Sequence, residues 1–135
     1  MQPETPFTAY RAAALAAAQS FQRDHRPYRY FRRHTAAADA LLTALWQQHF
    51  SGCPHLCLLA TGGYGRGELY PHSDLDIAIL SSNELTECEQ AAIAQFIQTL
   101  WDGKLAPSPQ SGSLKQILQA AQDNLTTSTA LLEAR

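Results

Sequence analysis

The apolar and polar positions divide the chain into helical and extended stretches. Residues 5–22 are alanine-rich, with 12–18 broken only by Leu15, and predict a helix. Residues 23–34 are basic and aromatic, and Pro27 reads as a breaker. From about 35 to 50, Ala38, Leu41, Leu42, Leu45 and Trp46 recur at helical spacing, and Gly52, Cys53 and Pro54 close that helix. Leu56-Cys57-Leu58-Leu59-Ala60 is a short apolar run between turn formers, as in a buried strand. A glycine-rich stretch over 62–67 follows. Residues 74–80 predict a second strand, with Asp74, Asp76 and Ala78 on one face and Leu75, Ile77 and Ile79 on the other.

Ser82 or Asn83 is positioned to cap a third long helix, carrying Ile93, Phe96, Ile97, Leu100 and Trp101, a stripe that reads as core. Gly103, Pro107, Pro109 and Gly112 predict a loop, and helical patterns around 113–122 and 126–134 complete the chain. There is no internal repeat. These elements describe an α/β domain with a small sheet and an N-terminal helical layer.

Composition adds bounds. At 135 residues the chain fits one domain, and 45% hydrophobic residues suffice for a packed core. The formal net charge of −2 does not favour a nucleic-acid partner, although Arg23, Arg26, Arg29, Arg32 and Arg33 cluster beside Tyr28, Tyr30 and Phe31. That cluster reads foremost as a solvated connector. No 18-residue apolar stretch predicts a membrane span, and Met1-Gln2-Pro3-Glu4-Thr5 lacks the look of a secretory signal. Three cysteines do not form a disulfide framework, so reduced thiols in a cytoplasmic protein are expected. Cys53, His55 and Cys57 are too few for a zinc site and have no second cluster. His72 reads as a loop residue, with contact to phosphate as its functional alternative.

The chemistry concentrates between the two strands. Asp74 and Asp76, at i and i+2, project from one face about 7 Å apart at the backbone. Like charges at that spacing call for a cation, and Mg²⁺ takes one or two carboxylates together with phosphate and water oxygens. Bound there, Mg²⁺ would neutralise a triphosphate. Gly62 and Gly63 let backbone amides approach phosphate without a Cβ in the way, and Arg66 and Ser73 can add hydrogen bonds. Either half is common alone. The conjunction of strand, Gly-Gly, connector, Ser-Asp-x-Asp and apolar strand is far more specific.

That conjunction resembles the nucleotidyltransferase superfamily. Gly62-Gly63-Tyr64-Gly65-Arg66-Gly67-Glu68-Leu69, Pro71, Ser73-Asp74 and Asp76 are similar to the N-terminal domain of bifunctional PII uridylyltransferase/uridylyl-removing enzymes. So are Leu41-Leu42, Leu45-Trp46, Leu100-Trp101-Asp102, Lys104-Leu105 and Thr129-Ala130-Leu131-Leu132-Glu133-Ala134-Arg135. The resemblance spans roughly 36–135, which divides the chain into an N-terminal helix and basic connector, 1–35, and a nucleotidyltransferase core, 36–135. It implies the superfamily's small mixed sheet, UTP and Mg²⁺ as ligands, and transfer of UMP to a tyrosine of the PII signalling protein. It also implies that Gly62 and Gly63 contact the triphosphate and that Asp74 and Asp76 are catalytic metal ligands.

The chain departs from the family in three ways. A third carboxylate on a later strand is usual, yet Asp102, Asp123 and Glu133 fall on no predicted strand. Ser108-Pro109-Gln110-Ser111-Gly112-Ser113 replaces a segment close to Gly-His-Ser-Val-Arg-Thr, so that strand is expected to be shortened, moved to an edge or lost. Family members are several times longer, with a His-Asp hydrolase domain and ACT domains, so removal of UMP and a response to glutamine are not expected here. Two alternatives follow: a catalytically incomplete nucleotide- or partner-binding fragment, or the same fold with a small-molecule or RNA acceptor.

Overall fold

The computed structural model describes residues 4–135; Met1-Gln2-Pro3, part of the stretch read for a secretory signal, lies outside them. Six helices and three strands follow in the order α1 (Pro6–Asp24), α2 (Pro27–Phe50), β1 (Leu56–Ala60), α3 (Gly62–Gly65), β2 (Leu75–Ser81), α4 (Glu87–Asp102), β3 (Pro107–Ser113), α5 (Leu114–Asp123) and α6 (Leu125–Leu131). The mixed α/β architecture with a small sheet and an N-terminal helical layer agrees with the sequence reading.

Each boundary has a local cause. The Thr5 side chain accepts from the Thr8 amide and starts α1, and His25 stops it in the left-handed region at φ 53°. Pro27 breaks one helix and begins the next: it occupies the first turn of α2, where its missing N–H costs nothing. The basic stretch expected as a connector is therefore mostly helical, and α2 starts eight residues before the predicted 35. Thr86, rather than Ser82 or Asn83, caps α4 by accepting from the Glu89 amide. Ser113 and Gln116 form a reciprocal capping box on α5.

The sheet order is β1-β2-β3, with β1 antiparallel and β3 parallel to β2. The register pairs Ala60 with Ile77 and Asp76 with Ser108. One face carries Leu56, Ala60, Leu75, Ile77 and Ile79, packed in one buried cluster with Leu41, Leu42 and Leu45 of α2 and Ile93, Phe96 and Leu100 of α4. The predicted α4 stripe is core, although Trp101 itself is half exposed. The opposite face carries Cys57, Leu59, Asp76, Ala78, Ser108 and Gln110 by strand alternation and register. Cys57, expected to be buried, is exposed there.

Residues 107–113 correct the loop prediction and bear out one of the expected fates of that strand, a move to the sheet edge. They form a full strand at the sheet edge. Ala106 O accepts from Leu75 N, so alternate peptide groups from 106 onward turn toward β2. Pro107 and Pro109 then direct their missing donors outward, where no ladder bond is lost. Among the described residues, no helix is long and apolar enough to cross a membrane.

Candidate active site

β1 delivers the chain into a single helical turn, α3. Thr61 N donates to Asp76 O at 3.0 Å, which fastens the start of the turn to β2 beside the predicted aspartate. Gly62 follows at φ 53°, and a Cβ built on it would lie 2.7 Å from Asp76 Oδ2. The left-handed dihedral strains a residue with a Cβ, and the close approach would set that Cβ against the Asp76 carboxylate, so the position favours glycine. A Cβ on Gly63 would lie 3.6 Å from an Arg66 guanidinium nitrogen. As first-turn amides, the Gly62 and Gly63 N–H groups have no acceptor four residues back within α3.

Asp76 is half-buried on β2, whereas Asp74 lies exposed just before the strand rather than on it. The Asp76 pKa is raised, first by burial and then by the Asp74 charge. The Ser108 hydroxyl and the Arg66 charge oppose that rise. Gly62, Gly63, Arg66, Asp74 and Asp76 are thus brought together. Ser73 is next to Asp74 in the chain, but its hydroxyl donates to Tyr70 O at 3.0 Å and closes the turn that ends the connector. Arg66 also pairs with Glu68 at 3.4 Å.

No third carboxylate joins the pair: among the described residues, no group of three His, Cys, Asp or Glu side chains could hold a metal ion. Asp102 accepts from Gln98 and Asp123 from Gln119, each within its own helical region. Glu133 is exposed, and its backbone oxygen, not its carboxylate, approaches Gly65. Two carboxylates whose mutual repulsion Ser108 and Arg66 offset only in part still match the needs of Mg²⁺, which completes its shell with phosphate and water oxygens. His55 engages Glu89 at 2.7 Å rather than forming a metal cluster with the cysteines.

His72, at φ 61°, and Ser73 line a neighbouring cleft of about 580 Å³ with Tyr10, His34 and Lys104. His34 is hydrogen-bonded to Tyr10, Tyr30 and Leu69 O, each at 3.1 Å, and burial lowers its pKa.

Residues 11–104 match the family described as "Putative nucleotidyltransferase DUF294". The chain belongs to this nucleotidyltransferase family. It is 48% identical over 120 residues to the bifunctional uridylyltransferase/uridylyl-removing enzyme of Neisseria gonorrhoeae (strain NCCP11945), covering 89% of this chain and 14% of that protein. The enzyme of the same name from Vibrio parahaemolyticus is 46% identical over 98 residues, covering 72% of this chain and 11% of the relative. That from Thiobacillus denitrificans is 39% identical over 123 residues, covering 91% and 14%. The chain thus spans about a seventh or less of these relatives. No solved structure matches it.

Three residues around this candidate site were given no role in the sequence reading. Ser108 reaches Asp76 from β3, a strand hidden behind its prolines. Asp39 and Arg135 meet at Tyr64, 96 positions apart in the chain. The available signal for Asp39 was a lone acid among the alanines and leucines of α2.

Proposed function

We propose that this chain carries the nucleotidyl-transfer site of a uridylyltransferase, which moves UMP from UTP to a tyrosine of the PII signalling protein. The observation that carries the reading is the approach of Gly62 to the Asp76 carboxylate, with Asp74 and Arg66 beside it. Relatives named as uridylyltransferases support the choice of UTP. Three free thiols suit a cytoplasmic setting.

In this reading, Asp74 and Asp76 hold Mg²⁺, which when bound supplies charge neutralisation to the triphosphate and the departing pyrophosphate. The Gly62 and Gly63 amides accommodate phosphate oxygens at a point where any side chain would meet Asp76. Arg66, freed from its exposed pairing with Glu68, adds a charge-assisted hydrogen bond. Ser73 does the same after its hydroxyl rotates away from Tyr70 O. The tyrosine hydroxyl attacks the α-phosphorus and releases its proton to solvent, a new phosphate ester forms, and the α–β anhydride breaks with pyrophosphate as the leaving group. Positioning and electrostatics supply the rate.

The test is transfer of labelled UMP from UTP to PII by the chain and by Asp74→Ala. Transfer that survives Asp74→Ala removes the metal assignment. A second reading, nucleotide binding without turnover, is favoured by the lack of a third carboxylate among the described residues. Calorimetric titration with UTP, with and without Mg²⁺, separates the two: metal-dependent binding without transfer supports the second.

A further inference from the structure

We propose that Arg135, anchored by Asp39, is a positioning residue that holds the glycine turn in its triphosphate-binding shape. The inference rests on the reading of that turn as the triphosphate site.

Five contacts converge on one guanidinium. Arg135 Nη1 donates to Asp39 Oδ2 at 3.0 Å, and Nη2 donates to Asp39 Oδ1 at 3.2 Å, a two-point pairing. Nη2 also donates to Tyr64 O at 3.1 Å, and Nε donates to Gly65 O at 3.2 Å. The guanidinium carbon lies 5.1 Å from the Tyr64 ring centroid, within cation–π range. Tyr64 closes the circuit by donating its hydroxyl to Asp39 Oδ1 at 2.6 Å.

The backbone around Arg135 is equally committed. Ala60 N donates to Arg135 O at 2.7 Å, and Arg135 N donates to Ala60 O at 2.9 Å, on the outer edge of β1. A Cβ on Gly65 would lie 2.6 Å from Glu133 O and 2.9 Å from Ala60 O, so the turn and this segment touch through backbone. The segment therefore grips the last residues of the turn whose first residue faces Asp76. Both charged partners remain about 40% exposed, so burial of apolar surface does not explain the arrangement. Its donors go to the turn's own carbonyls and to α2. Lysine could keep the charge but not the fork that reaches an acid and two carbonyls together.

The experiment uses the whole chain with Arg135→Gln, Arg135→Lys, Asp39→Asn and the Asp39→Asn/Arg135→Gln pair. Three quantities are read: the Kd for UTP in Mg²⁺, hydrogen exchange at the Gly65 and Arg66 amides, and the thermal midpoint. The two amides bond to Thr61 O and Gly62 O, and β2 amides serve as the internal reference.

Arg135→Gln should weaken UTP by about tenfold, in keeping with the loss of a charge-assisted hydrogen bond. It should also speed exchange at Gly65 and Arg66 while leaving β2 unchanged. Asp39→Asn should move both readouts the same way, the double variant should be no worse than Arg135→Gln, and Arg135→Lys should recover part of the affinity. Unchanged turn protection and UTP affinity in Arg135→Gln overturn the proposal. So does a uniform loss of protection through β2, which marks a general structural role. A wild-type chain that binds no UTP removes the triphosphate reading instead, and the exchange comparison still shows whether Arg135 holds the turn.

Discussion

The two faces of β2 differ in what surrounds them. Leu75, Ile77 and Ile79 enter a closed apolar cluster with α2 and α4, and none is more than 3% exposed. One residue out of step, Asp76 faces the other way, half-buried and held near a second carboxylate. Strand alternation lets one seven-residue segment serve both roles, because the pleat separates them by a backbone's width. The lesson is that the repulsion between Asp74 and Asp76 is confined to the open side, where the Ser108 hydroxyl and the Arg66 charge offset part of it.

That contrast can be broken from either side. The largest effect should come from Phe96→Ala on the closed face, where a fully buried ring is lost; a destabilisation of about 3–5 kcal/mol is expected in denaturant melts. On the open face, Asp76→Asn should reduce UMP transfer by on the order of 10²-fold or more while leaving the fold intact. It should also change the pH dependence of stability. Because burial and Asp74 raise the Asp76 pKa, the folded chain holds that proton more tightly than the unfolded chain. Stability should therefore fall as pH rises from the ordinary value of 3.8 through the raised folded value, and the asparagine variant should lose this slope in melts across that window.

Gly62→Ala tests the seam between the faces. It combines a left-handed backbone with a contact against Asp76 and should cost about 1–3 kcal/mol, with transfer falling further than stability does. The smallest effect belongs to Cys57→Ser on the exposed part of the open face, expected within about 0.5 kcal/mol by thermal melting. A large loss there would mean that this face is packed after all.

The parts of the molecule were unequally legible in the sequence. β1, the glycine turn and β2 stood out because an apolar run, a glycine run and a period-two pattern are local signals. Gly62 and Asp76 could be linked because a single connector joins their strands. β3 was obscured by Pro107, Pro109 and Gly112, which mark loops unless an edge position absorbs the missing donors. The early start of α2 was obscured by Pro27, whose meaning depends on whether it lies inside a helix or at its first turn. The Asp39–Tyr64–Arg135 circuit had no local signature, since tertiary folding alone brings these residues together.

The outward-facing prolines of β3 also give the sheet a direction. An incoming strand finds missing donors along the β3 margin, whereas Ala60 on the β1 margin already exchanges two hydrogen bonds with a passing segment. β3 is therefore the finished border of the sheet, and the β1 margin is the side that accepts strand pairing.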